Sequence, residues 1–182
     1  MNNITIQNLK HAFKGETTAS AKYAAYSRKA NEEGFLRISK LFEAISHSEK
    51  IHATNHKRVL EKMGEKPGDV NPEFDVKTTK ENLIDAIAGE TYEINTMYPE
   101  FIKAAKEAEL KGAIETFDWA LRTEKKHKSI YENTLKALEV GSESELPSIY
   151  LVCPICGNTF EAKIPDKCGI CSEPKENFVI FK

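Results

Sequence analysis

The sequence predicts an all-α four-helix bundle followed by a small, β-rich metal-knuckle domain. Three observations carry this. Four amphipathic stretches with helical periodicity fill residues 5–139. The connections between them run short, long, short. All four cysteines of the 182-residue chain fall in its last thirty residues.

The first stretch presents Leu9, Phe13, Glu16, Ala19, Tyr23 and Tyr26 on one face. The second is the clearest: Phe35, Ile38, Phe42, Ile45, Glu49, His52, His56, Val59 and Met63 recur in steps of three and four. The third carries Leu83, Ile87, Glu90, Ile94, Met97 and Phe101, with Glu93 and Tyr98 adjacent. The fourth carries Phe117, Ala120, Glu124, His127, Tyr131 and Leu138. Asn31 to Gly34 makes a tight turn with Gly34 as helix stop, and Gly112 marks a similar break between the third and fourth helices. Gly64 to Lys77, with Pro67, Gly68 and Pro72, is too long for a bundle hairpin. A long middle crossover gives the bundle ferritin-like connectivity. Pro99 leaves the Asn95 carbonyl without its helical donor, so a kink is expected just after Glu93. The expected domains are residues 1–140 for the bundle, 141–148 for a linker and 149–182 for the cysteine domain, with Tyr150, Phe160 and Phe178 as the latter's small core.

Composition excludes several classes. Lys and Arg total 26 against 28 Asp and Glu, a net charge of −2 that gives nucleic acid no basic field. No apolar run approaches a membrane span, and Met1 to Lys10 lacks the apolar region of a secretory signal. A cytoplasmic location is expected.

The bundle contains an internal repeat. Gly15-Glu16-Thr17 recurs as Gly89-Glu90-Thr91, and Ser48-Glu49-Lys50-Ile51-His52 recurs as Thr123-Glu124-Lys125-Lys126-His127. Each hairpin thus carries Glu on its first helix and Glu-x-x-His on its second. Residues i and i+3 share a helix face, so each Glu and His can ligate together. These groups sit on otherwise apolar stripes, where unpaired carboxylates are costly. A solvated charged face does not account for that placement; a metal pair does. Carboxylates with one imidazole per metal suit iron or manganese, and the set is the di-iron pattern of ferritin-like bundles. Glu93 breaks the symmetry, because the residue three after Glu16 is Ala19. It reads either as a surface glutamate or as a ligand that competes with a histidine as the iron changes charge.

Cys153-x-x-Cys156 and Cys168-x-x-Cys171 form a tetrahedral sulfur site. Spacing alone leaves iron and structural zinc both open. A di-iron centre needs electrons delivered singly, and that context favours iron. His56 reads as either a contact to the ligand shell or core packing. Tyr23 and Tyr98 equally admit core packing.

With both motif sets in this order, the chain resembles the rubrerythrins, a ferritin-like di-iron bundle fused to a C-terminal rubredoxin-like domain. The resemblance implies seven di-iron ligands: Glu16, Glu49, His52, Glu90, Glu93, Glu124 and His127. Glu49 and Glu124 would bridge. Glu16 would be terminal on one iron, whose remaining position alternates between His52 and Glu93, and Glu90 and His127 would complete the other. Tyr23 and Tyr98 would hydrogen-bond ligand carboxylates. Cys153, Cys156, Cys168 and Cys171 would hold a rubredoxin-type Fe(Cys)4. The second knuckle departs from the family in having Ser172 where glycine is usual, in a turn that glycine adopts more cheaply.

The implied function is reduction of hydrogen peroxide to water in oxidative-stress protection. Electrons would come from NAD(P)H through an external flavoprotein reductase or rubredoxin, and the protein would be a homodimer. A ferroxidase or iron-handling role is the alternative, and the fused cysteine domain argues against it. One further expectation concerns distance. A module tethered where the fourth helix exits would lie roughly 20 Å from its own irons, so electrons are expected to cross between chains.

Overall fold

The computed structural model describes residues 2–161 and 164–182, with side chains from Ile4 onward. The bundle consists of α1 (Asn2–Glu32), α2 (Leu36–Lys62), α3 (Thr79–Tyr92), α4 (Tyr98–Glu107) and α5 (Lys111–Glu139). A π-helical turn, Glu93–Met97, joins α3 to α4, so these two are one broken helix. Four helical rods result, as the periodicity predicts.

The turns follow from local chemistry. Gly34 takes φ +87°, and Phe35 N donates to Ala30 O at 2.8 Å, closing α1. The crossover ends at Thr78, whose hydroxyl accepts from Glu81 N while the Glu81 carboxylate accepts from Thr78 N. Gly112 does not mark the next break. It lies within the first turn of α5, and the reversal is made at Ala108–Leu110, where Glu109 has φ +55°.

The kink expected from Pro99 is instead a change of helical register. Tyr98 N donates to Glu93 O, five residues back. The π turn takes up one extra residue, and the sequence contains that residue. The repeat offset is 74 at Glu16/Glu90 and 75 at Tyr23/Tyr98. A π bulge is the usual helical response to a one-residue insertion.

Two apolar cores fill the ends of the bundle. One holds Tyr23, Phe42, Ile45, Leu83 and Tyr131; the other holds Leu9, Leu60, Met97, Phe101 and Phe117. Along every helix the predicted Glu and His ligands fall between these two cores. No helix among the described residues is long and apolar enough to cross a membrane.

After Glu139 the chain turns at Gly141 and a single 3₁₀ turn. It then enters a three-stranded antiparallel sheet of order β2-β1-β3, formed by Tyr150–Val152, Thr159–Glu161 and Val179–Phe181. Strand alternation divides β1 between two cores. Tyr150 and Val152 pack into the bundle, while Leu151 joins Phe160, Phe178 and the cysteines. Tyr150 is therefore not part of the small core assigned to it from sequence.

The two candidate metal centres and how they touch

The helical spacing brings the bundle donors together from four rods. Atoms of Glu16, Glu49, His52 and Glu124 converge within 4.8 Å, as do atoms of Glu49, Glu90, Glu124 and His127, all buried. Each of Glu49 and Glu124 serves both sets. Glu49 Oε2 and Glu124 Oε1 lie 2.9 and 2.8 Å from His52 Nδ1. Their other oxygens lie 3.2 and 2.7 Å from His127 Nδ1. A carboxylate that offers one oxygen to each side is arranged to bridge two ions.

These close atoms do not satisfy one another. Glu16 Oε2, Glu49 Oε2, Glu90 Oε2, both Glu124 oxygens and both Nδ1 atoms lack a hydrogen-bond partner. So many unpaired buried polar atoms would be very costly. They aim at shared points instead, and an ion at each point removes the cost. The donor set, carboxylate oxygens with one imidazole per ion, fits iron.

The electrostatics agree. Burial and the neighbouring carboxylates push Glu90 well above the usual range, and burial takes Glu16 up to about 7. Burial also opposes ionisation of Glu124, yet His52 and His127 overcome it and bring the carboxyl down to about 2. His127 rises to about 9 because Glu49 and Glu124 outweigh its burial.

Glu93 belongs to neither convergent set. It opens the π turn and is partly buried. Burial, then Glu16 and Glu124, raises its pKa strongly. A pocket of about 680 Å³ between α1 and the crossover includes Glu93 and Tyr23 in its lining.

The tyrosines reach the ligands as the resemblance implies. Tyr23 donates to Glu90 Oε1 at 3.1 Å, and Tyr98 donates to Glu16 Oε1. His56 sits behind Tyr98, 3.2 Å from its hydroxyl.

In the C-terminal domain the four Sγ atoms also lie within 4.8 Å of one another, with Cys153 and Cys171 3.4 Å apart and Cys156 and Cys168 3.5 Å apart. Both knuckles close the same way. Gly157 N donates to Cys153 O at 3.0 Å, and Ser172 N to Cys168 O at 2.9 Å. Gly157 has φ +79° and Ser172 has φ +66°, so the serine does hold the left-handed turn expected of it.

The two centres meet directly. The first knuckle lies across α2 and α5 of its own chain: Ser48 Oγ donates to Gly157 O at 2.7 Å, and Asn55 Nδ2 to Ile155 O at 2.7 Å. His52 Nε2 is 3.1 Å from Cys156 O, and His127 Nε2 is 2.9 Å from Thr159 Oγ1. A carbonyl only accepts, so His52 carries its proton on Nε2 and leaves Nδ1 for the metal. A Cβ at Gly157 would stand 2.5 Å from His52 Nε2, so only glycine permits this approach. The linker folds back along the bundle, Arg37 bonding Leu146 O on the way. The distance argument for transfer between chains fails, because it left the module at the helix exit.

Sequence reading missed the residues of this contact. Ser48, Asn55, Lys126, Asn158 and Thr159 have no motif of their own, although the 48, 52, 55 spacing does place Ser48 and Asn55 on one face with His52.

Comparison with known proteins agrees with the geometry. The rubrerythrin family model matches residues 7–135. Rubrerythrin-2 of Clostridium acetobutylicum is 33% identical over 181 residues, covering 99% of this chain and 98% of that protein. Nigerythrin of Nitratidesulfovibrio vulgaris is 33% identical, covering 97% and 86%. The solved structure of fully reduced, all-ferrous nigerythrin superposes with a TM-score of 0.87 over 97% of this chain and 86% of that one. The buried Glu/His cluster is a di-iron site and the cysteine knuckle its rubredoxin-like companion: the chain belongs to the rubrerythrin family of oxidoreductases.

Proposed function

We propose that the protein is a cytoplasmic, homodimeric non-haem di-iron peroxidase that reduces hydrogen peroxide to water. Its electrons pass from NAD(P)H through a separate reductase or rubredoxin to the cysteine iron, and from there to the bundle. One observation carries this reading: the cysteine knuckle touches the outer nitrogens of both ligand histidines. A storage or ferroxidase protein has no use for an electron entry built against its ligands. The bound irons supply reducing electrons and Lewis acidity.

The chain's own residues divide the work. Cys156 O and Thr159 hold the two imidazoles in the tautomer that ligates. Glu49 and Glu124, common to both convergent sets, would hold both ions, and Glu16 and Glu90 would hold one each, their carboxylates steadied by Tyr98 and Tyr23. Glu93, at the pocket side and outside the convergent sets, would exchange with His52, its carboxylate being the harder donor and so the one suited to the oxidised state. Substrate enters by the pocket next to Glu93, on a face away from the docked knuckle.

The test is anaerobic titration of the fully reduced, iron-loaded protein with peroxide. One peroxide should oxidise both bundle irons at a rate far above that with dioxygen. Faster oxidation by dioxygen, with ferric iron accumulating beyond two per bundle, would favour the ferroxidase reading instead.

A further inference from the structure

The repeat places His56 opposite Tyr131 at the same offset that pairs Tyr98 with Tyr23. The two positions do different things. Tyr131 meets Tyr23 ring to ring at 5.6 Å, and its hydroxyl has no partner. Behind Tyr23 there is thus an aromatic ring and no hydrogen-bonded imidazole. His56, fully buried, is bonded at both ring nitrogens: Nε2 to the Tyr98 hydroxyl at 3.2 Å and Nδ1 to Thr116 Oγ1 at 3.0 Å.

The direction of every bond in this chain is fixed. Glu16, as a metal-binding carboxylate, can only accept, so Tyr98 spends its proton there. The Tyr98 oxygen must then accept, which puts the His56 proton on Nε2. Nδ1 is left as acceptor, and Thr116 is its donor. Burial pushes His56 down to about 3, so the ring carries no standing charge. Thr116 in turn lines a surface groove of about 490 Å³, together with Asn55, Arg58 and Glu115. A single file of donors therefore runs from that groove to Glu16; among the described residues no such file stands behind Tyr23.

We propose that Thr116, His56 and Tyr98 form a proton path from the groove between α2 and α5 to Glu16. The need for protons rests on the peroxidase reading. Breaking the O–O bond of one hydrogen peroxide takes two electrons, one from each ferrous iron, and two protons to yield two waters. For one of these protons, Glu16 hands a proton to a product oxygen and is a carboxylate again, having taken it from the Tyr98 hydroxyl as His56 passes Nε2–H to Tyr98 and Thr116 passes its own to Nδ1. Water in the groove resupplies Thr116, and return of His56 from the Nδ1–H to the Nε2–H tautomer, with rotation of the two hydroxyls, resets the file. His56 touches neither iron nor substrate; it acts through Tyr98.

His56→Gln tests this, because the amide keeps a donor toward Tyr98 and an acceptor toward Thr116 but relays protons poorly. The variant should retain two bundle irons. Its single-turnover oxidation by peroxide should slow about tenfold or more, with a larger solvent isotope effect. Tyr131→Phe, the counterpart, should match wild type. Wild-type kinetics in His56→Gln would overturn the path and leave His56 as packing. If that variant misfolds, Thr116→Val breaks the outer link with little change of shape and should show the same slowing. Independently of activity, ¹⁵N NMR of the protein loaded with diamagnetic zinc in place of the bundle irons should show His56 as the Nε2–H tautomer, with the Nδ1 shift altered in Thr116→Val. The opposite tautomer would overturn the proposal. Wild-type protein inert to peroxide would overturn the peroxidase reading instead, and the NMR result would then judge the chain of bonds alone.

Discussion

The two hairpins of the bundle share what binds metal and differ in what surrounds it. Both supply Glu, Glu-x-x-His and a tyrosine that donates to the opposite hairpin's terminal carboxylate. The differences collect on the second hairpin's π turn and around the tyrosine it carries. Glu93 stands where the first hairpin has Ala19, and a register shift stands where α1 is regular. The Tyr98 side has a hydrogen-bonded imidazole where the Tyr23 side has Tyr131. Duplication accounts for the metal cage. Departures from it are where the proposed ligand exchange and the proposed proton path lie, the first at the pocket beside Glu93 and the second at the groove beside Thr116.

The largest effect that tests this comparison is loss of the cage itself. Glu124→Ala removes the oxygens offered to both histidines, so it should lose both bundle irons while the cysteine iron remains. Glu16→Ala, which touches one set only, should lose at most one. Metal analysis of the two variants checks this, and equal losses would mean the halves are not separable. Next in size is Cys168→Ser. It should abolish turnover driven by an external reductase yet spare the single reaction of chemically reduced bundle irons with peroxide. Loss of that single reaction would show that the knuckle builds the site as well as feeding it.

Glu93→Ala makes the two halves alike. Because Glu93 lies outside both convergent sets, the variant should still hold two irons. Repeated peroxide turnover should fall several-fold if carboxylate and imidazole exchange at one ion. Stopped-flow oxidation followed by re-reduction separates the two steps, and wild-type rates in both would make Glu93 a bystander.

Much of this was legible in the sequence, for a physical reason. Helical rods are periodic, so Glu16, Glu49, His52, Glu90, Glu124 and His127 declare their shared interior by falling on apolar stripes. The cysteines declare theirs by spacing. The π turn was present as the change of offset from 74 to 75, but Pro99 alone suggested only a kink. Docking of the knuckle was not legible. It rests on backbone carbonyls of Ile155, Cys156 and Gly157, which leave no side-chain signature apart from the glycine that a knuckle turn already calls for, and on a linker whose path depends on packing. The same holds for Tyr150, whose inward side is decided by which way β1 faces the bundle.

The smallest expected effect lies at that junction and compares the two metal centres themselves. Lys126, the neighbour of His127, reaches out of the bundle to the cysteine domain. Its Nζ donates to Asn158 Oδ1 at 2.7 Å and lies 4.4 Å from the centre of the Phe160 ring. Asn158 Nδ2 in turn is 3.3 Å from Cys168 Sγ. A cation and an amide donor aimed at a thiolate stabilise the more negative, reduced state of an iron–sulfur centre. Lys126→Met keeps the stem over Phe160 and removes the charge together with its hydrogen bond to Asn158. It should therefore lower the reduction potential of the cysteine iron without changing the iron content of either centre. Asn158→Ala, which removes the donor to sulfur, should shift it in the same direction. Optical redox titration measures both; an unchanged potential in Lys126→Met would reduce that residue to a docking contact.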